Sequence, residues 1–518
     1  MSKVIMVQGT MSNVGKSLIV AGLCRIFKQD GYRVVPFKSQ NMALNSYVTK
    51  DGLEMGRAQV MQAEAAGVEP SVYMNPILLK PTSDKGSQVI VNGEVLEDMN
   101  ARDYFKYKKK LIPVIKEAFK KLEEETDIIV IEGAGSPAEI NLRADDIVNM
   151  GMAEIVDSNV LLVGDIDPGG VFAQIYGTVM LVEEVERDRI KGLIINKFRG
   201  DKTLLDPGIV MLEEKTKKDV LGVVPYLSLS IDDEDSLSNR FKNKKQGIIN
   251  IGIVHLPHIS NFTDFNIFDQ VSGVEVHYIK DPEEIRDMDA LILPGTKNVI
   301  EDMRFLSESG FSDKIKEYEK DGNIIFGICG GYQLLGKKIR DPYTVEAGGE
   351  IDALGLLDVE TVLSKEKIRR RVKGKISEIT GLLSGLSDLP ISGYEIHMGI
   401  TKGNIKTLDI IERIEETENS DIDQNSILDG AYDKNTYGSY IHGIFDEKEV
   451  VTAFILAVAS LKNKKGRLEE ERLKAFVENL NVTDCHAFKE EQYDILANTL
   501  RESLDMKKIY GLLKDSVI

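Results

Sequence analysis

The chain has 518 residues, 42% of them hydrophobic and 29% charged, with a formal net charge of −19. That length suggests roughly three domains and can bury several cores, while so acidic a chain lacks the basic surface that nonspecific nucleic-acid binding needs. Three cysteines, Cys24, Cys329 and Cys485, build no disulfide framework over this length, which points to a reducing cytoplasm.

The opening stretch, MSKVIMVQGT, enters an apolar strand pattern directly. No basic segment followed by a long apolar run precedes it, so no signal peptide is expected. No uncharged apolar run approaches the ~18 residues of a spanning helix, and no membrane association is expected. KVIMVQG is followed by a helical pattern from Lys16 to about Asp30, then by YRVVPFK, DIIVIEG, NVLLVGDID, GLIINKF and VLGVVPY. Such runs, buried on both faces and alternating with helices, predict a parallel sheet covered on both sides. The polar stretch DDEDSLSNRFKNKKQG has no apolar period and reads as a linker. A second alternating series follows through IINIGIVHLPHI, VEVHYI, ALILPG and IIFGICGG, and the last seventy residues show helical spacing. The reading is two doubly wound α/β domains, residues 1–232 and 249–448, joined by a linker over 233–248 and followed by a helical tail over 449–518.

QGTMSNVGKS lies between the first strand and the first helix, where a phosphate-binding loop belongs. Loop N–H groups and the helix amino-terminus cradle phosphates there; Lys16 reaches the terminal phosphates and Ser17 supplies a hydroxyl to Mg²⁺. Thr10, Asn13, Val14, Gly15, Lys16 and Ser17 are the expected nucleotide contacts. The spacing departs from G-x-x-x-x-G-K-[ST], because Thr10 stands where the first glycine belongs and Gly9 precedes it. The alternative is a chance Gly-Lys-Ser in a surface turn. Mg²⁺ takes oxygen ligands. Glu132 ends the run DIIVIEG at the carboxyl edge of the sheet, where open α/β sheets bind ligands; a solvated strand end is the other reading. Asp165 and Asp167 are secondary metal candidates. Asn196 and Lys197, ending GLIINKF, are placed to touch a base, and a plain polar turn fits them equally.

FGICGGYQLLG places Cys329 between glycines, where an apolar strand turns into a helix. A thiol on such a tight turn faces outward against the helix amino-terminus, whose dipole favours the anionic nucleophile. The glycines permit the turn. The Gly-x-Ser-x-Gly elbow of hydrolases is the same device with a hydroxyl. The competing reading is a small buried Cys in a strand.

Taken together, QGTMSNVGKS, PFKSQNMALNS, EMGRAQVMQAEAAGV, MNPILLKP, IEGAGSPAEINL, GDIDPGGVFAQ, GICGGYQLLG, GYEIHMG and SYIHGIF resemble the cobyric acid synthase family, the glutamine-dependent amidases of cobalamin biosynthesis. The resemblance runs from the first strand into the tail. FKSQNMALNS and MNPILLKP separate it from the a,c-diamide synthases of the same route. The resemblance implies an amino-terminal P-loop domain similar to dethiobiotin synthetase, where the Gly-Thr, four-residue, Gly-Lys spacing is normal, and a class I glutamine amidotransferase domain. It implies ATP, glutamine and Mg²⁺, amidation of the b, d, e and g carboxylates of adenosylcobyrinic acid a,c-diamide, and no obligate protein partner. By the same match Cys329 is the nucleophile, His442 in SYIHGIF the base, Gly295 in LILPGTKN the oxyanion turn, Glu54 a metal ligand beside Ser17 and Glu132, and Asn196 the base contact. An oxyanion donor is worth about 3 kcal/mol. One departure stands out. Class I amidotransferases carry a Glu two residues after the His, and here that position is Ile444; the third member is absent or comes from elsewhere. His397 and Glu395 in GYEIHMG are alternative catalytic groups. Lys38, Arg57, Lys80, Lys85 and Arg143 are candidate cations for a polycarboxylate corrinoid. A reading from another class is a P-loop switch ATPase with a decayed glutaminase domain. Such ATPases carry a signature Lys where this chain has Met11, and retention of Cys329 and His442 also speaks against decay.

Overall fold

The computed structural model of the chain describes residues 2–83, 86–229, 231, 246–412 and 427–518. The chain divides into two compact units. One comprises Met1–Ala43, Glu54–Asp235 and Lys489–Ile518; the other comprises Leu44–Leu53 and Ser236–Phe488. Most of the expected linker, and Lys85, lie outside the described residues.

The first unit is built on a seven-stranded sheet. Six strands run parallel in the order Val220–Pro225, Ile190–Phe198, Val160–Asp165, Lys3–Gly9, Ile128–Glu132, Val34–Phe37. Lys514–Asp515 adds an antiparallel edge on Lys3–Val4. Because the strands are covered on both faces, runs such as Val4–Val7 and Ile128–Ile131 have no exposed side chain. The helix Lys16–Gln29 packs Leu23, Ile26 and Phe27 into a core that also takes Tyr493, Leu496 and Leu500 from the helix Cys485–Ser503. A four-stranded sheet in the order Gln40–Met42, Ile77–Ser83, Gly86–Val91, Glu94–Asn100 stands apart from it.

The second unit has a six-stranded sheet in the order Val274–Ile279, Ile249–Val254, Ala290–Leu293, Ile324–Ile328, Thr436–Ser439, Ala431–Asp433, parallel except for the last pair. A second, largely antiparallel sheet centres on Val359–Ile376 paired with Pro390–Gly403. The helix Lys448–Lys464 buries Val451, Phe454 and Val458 in the same core as Phe268, Phe326 and Phe445.

Both parallel sheets follow the strand runs of the sequence closely. Two features do not follow from it. Residues 44–53 interrupt the first unit yet belong to the second. The helical tail is not one body: residues through Phe488 belong to the second unit and Lys489–Ile518 to the first.

Candidate active sites

The loop after Lys3–Gly9 turns through left-handed backbone at Asn13 (φ 64°) and Gly15 (φ 92°). At Gly15 a side chain is excluded twice over: the φ is strained for any L-residue, and a Cβ would sit 2.3 Å from the Asn196 amide nitrogen. Lys16 is buried and its ammonium donates to the carbonyls of Met11 (3.0 Å) and Gly135 (3.3 Å). Ser17 donates its hydroxyl to Glu132 at 3.0 Å. Glu132 also accepts from Lys38 at 2.9 Å and from Gln62. Burial alone would raise the Glu132 pKa; Lys38, Gln62 and Lys16 overcome that and hold it below the usual carboxylate range. Ser17 and Glu132 together offer a hydroxyl and a carboxylate oxygen, a hard donor set that fits Mg²⁺ with water completing its shell. Glu54 is fully buried in an ion pair with Lys80 at 2.8 Å.

The remaining sequence candidates of this unit lie against protein groups. The Asn196 amide donates to the Val14 carbonyl at 2.8 Å, stiffening the loop from behind. Lys197 donates to the Asn13 carbonyl and pairs with Asp165 at 2.9 Å. Asp167 meets Arg199 at 3.1 Å, and Thr10 donates to Gln174 at 3.3 Å. Arg143 is shared between Glu183 and Glu186. Arg57 is buried at the start of the helix Arg57–Ala66.

In the second unit Cys329 occupies the sharp turn between the strand Ile324–Ile328 and the helix Gly330–Leu335, at φ 52°, ψ −108°. That backbone is costly for a residue with a Cβ and persists only when the surroundings enforce it. They do: Cys329 N–H donates to Ser439 at 2.8 Å, and Gly331 lies so close to Leu293 that a Cβ would fall 2.0 Å from its carbonyl oxygen. The thiol lies 3.8 Å from the Ile396 carbonyl, and its charge and hydrogen bonding act on His442. His442 is 1% exposed. Its Nδ1 stands 2.7 Å from Asp264, its Nε2 3.2 Å from the Asn261 amide, and its ring stacks on Tyr394 at 5.2 Å. Burial lowers the imidazole pKa, but the charges of Asp264 and Cys329 outweigh it and push it up to about 10. Asp264 also accepts from Gly443 N–H.

Asp264 is the residue that reading the sequence missed. Ile444 is buried and offers no carboxylate; the carboxylate on His442 comes instead from the turn Phe262–Phe265, 178 residues earlier. The one signal in the sequence was an acid between two aromatics, Phe262 and Phe265, both of which are buried. Gly295 lies beside this group, since a Cβ there would meet His442 Cε1 at 3.2 Å. His397 and Glu395 form their own cluster. His397 Nδ1 lies 2.8 Å from the Gly399 carbonyl, its ring stacks on Tyr440 at 3.7 Å, and Glu395 binds Arg370 at 2.5 Å.

A phosphate cradle and a thiol on a strained turn backed by imidazole and carboxylate thus occupy separate units of one chain. Two domain families account for them. Residues 5–237 match the CobQ/CobB/MinD/ParA nucleotide binding domain, and residues 250–450 match the CobB/CobQ-like glutamine amidotransferase domain. The class is therefore a nucleotide-binding domain joined to a glutamine amidotransferase domain. Among curated relatives, the cobyric acid synthase of Lachnoclostridium phytofermentans is 53% identical, covering 100% of both chains. That of Ruminiclostridium cellulolyticum is 51% identical over 100% of this chain and 98% of its own, and one from Clostridium botulinum is 52% identical over 98% and 99%. The chain belongs to the cobyric acid synthase family. Among the described residues, no helix is long and apolar enough to cross a membrane.

Proposed function

We propose that the protein uses ATP and glutamine to amidate the b, d, e and g carboxylates of adenosylcobyrinic acid a,c-diamide, giving adenosylcobyric acid, in the cytoplasm. The observation that carries this reading is the end-to-end match to cobyric acid synthases, at 53% identity over the whole of both chains, in a chain that keeps both sites. A carboxylate is a poor electrophile. Transfer of the γ-phosphoryl group to it makes an acyl phosphate with a good leaving group, and Lys16 neutralises charge during that transfer. Mg²⁺ would be held by Ser17 and Glu132, with Glu54 the further ligand that the family resemblance implies, and would supply charge neutralisation on the phosphates.

Ammonium is not a nucleophile, so NH₃ must be made in the enzyme. Cys329 attacks the glutamine amide and forms a glutamyl thioester. His442 gives its Nε2 proton to the leaving ammonia and then takes one from the water that hydrolyses the thioester. Asp264 holds the imidazole with Nδ1 protonated and stabilises its charge. Gly295 supplies an oxyanion N–H. The test is incubation with cobyrinic acid a,c-diamide, ATP, Mg²⁺ and glutamine, followed by mass spectrometry. Four successive amidations are expected. Conversion of cobyrinic acid itself, with its a,c-diamide untouched, would replace this reading by a,c-diamide synthase activity.

A further inference from the structure

The first unit contains a cavity of about 570 Å³, a volume within the range of small-molecule sites. The four-stranded sheet contributes Met42, Leu79 and Met99, the helix Ala101–Tyr107 contributes Tyr104, and the loops after Ile128–Glu132 contribute Ser136 and Leu142. The walls are mainly apolar. Met42 at 60% and Leu142 at 41% exposure leave apolar surface open at the cavity. The cavity wall also includes a segment that touches Lys16. Ala134 and Ser136 line the cavity, and the carbonyl of Gly135 between them accepts from Lys16.

The charged groups around it are unequal. Arg143 is tied to Glu183 and Glu186. Asp146 is spent on the N–H groups of Val148, Asn149 and Gly151. Glu139 lies at an exposed position. Lys108 is different: the residue is 8% exposed, its ammonium lies over the Phe105 ring at 4.4 Å, and no carboxylate among the described residues comes within ion-pair distance of it. Asp145 and Asp146 act on it only at longer range, and burial pulls its pKa down. Its charge is thus offset only at a distance, with no counter-charge among the described residues in direct contact. An anionic ligand would supply that charge.

We propose that this cavity seats an apolar face of the corrin macrocycle, with Lys108 pairing with one peripheral carboxylate while another is presented past Ser136 to the phosphate loop. The assignment rests on the corrinoid reading above and locates its substrate.

The test is titration of the full-length protein with cobyrinic acid a,c-diamide, followed by corrin absorbance or equilibrium dialysis, in parallel with ATP. Lys108→Gln should weaken corrinoid binding about 10- to 100-fold, the range of a lost charge-assisted hydrogen bond, and leave ATP affinity within twofold. Met42→Asp, at an exposed position that folding does not depend on, should weaken it by a similar factor through repulsion of the carboxylates. Wild-type corrinoid affinity in both variants overturns the cavity assignment while the functional reading stands. Weakened ATP binding with unchanged corrinoid binding overturns it too, and assigns the cavity to the nucleotide. If the wild type binds ATP but no corrinoid, the functional reading fails and takes the assignment with it.

Discussion

Glu132 in the first unit and His442 in the second are 2% and 1% exposed, and burial opposes the charge on each. In both, the neighbours win, but by different means. Glu132 is held by an ammonium, an amide and a hydroxyl at once, with a second lysine adding its field. His442, beside the Asn261 amide and the Tyr394 ring, owes its charge to a single carboxylate, Asp264, and to the neighbouring Cys329 thiol. A redundant cluster spreads the consequence of losing one member into stability. A chain of single contacts concentrates it in function.

The largest expected effect lies in the single-contact chain. Asp264→Asn keeps the shape but lets the side chain donate to Nδ1, favouring the wrong tautomer. Glutamine-dependent turnover should fall about 10²- to 10⁴-fold, with ammonia-dependent amidation retained. Part of the lift that carries the His442 pKa to about 10 comes from Asp264. Without it His442 loses its proton at lower pH, so the alkaline limb of glutaminase activity should move down. An unshifted limb and a loss under tenfold would show that His442 is oriented by something else.

Glu132→Gln probes the redundant cluster. It removes the carboxylate that pairs with Lys38 at 2.9 Å; breaking such a buried pair costs about 3–5 kcal/mol, or roughly 6–20 °C in Tm for a unit of this size. The sign with pH is defined. The folded-state pKa of Glu132 is depressed, so its stabilisation is present above the ordinary Glu range and is lost as pH falls through the folded value. The wild-type and variant melting curves should therefore converge on acidification. Equal Tm at pH 7 would mean that the cluster contributes no net stability. The smallest effect is expected from Tyr394→Phe. The ring still stacks on His442, but the 3.1 Å bond from the hydroxyl to the Ser46 carbonyl is lost. About 1 kcal/mol predicts less than a tenfold loss of glutamine-dependent turnover; a hundredfold loss would make the 44–53 segment a major support of the site.

How much of this was legible in the sequence follows from the range of each contact. The phosphate loop is local, so nine consecutive residues from Gly9 to Ser17 announce it, and Glu132 was found because it ends a strand whose apolar run is plain. Cys329 was legible because the glycines that flank it, Gly327, Gly330 and Gly331, signal the turn. Asp264 was not, because 178 residues separate it from His442 and no local pattern marks the pairing. The antiparallel sheets were missed for another reason. Strands such as Val359–Ile376 carry many charged residues and no continuous apolar run. The assignment of residues 44–53 to the second unit rests on contacts such as Ser46 N–H to Asn261 and Arg371 to the Val48 carbonyl, which no periodicity encodes.

The central claim is that one chain makes ammonia at Cys329 and uses it at a separate phosphoryl-transfer site. The most direct measurement is amidation of cobyrinic acid a,c-diamide by the wild type and by Cys329→Ala, first with glutamine and then with ammonium at raised pH. The variant should lose glutamine-dependent amidation and keep ammonia-dependent amidation at near wild-type rate. A variant that still uses glutamine would contradict it and make Cys329 a structural residue on a strained turn.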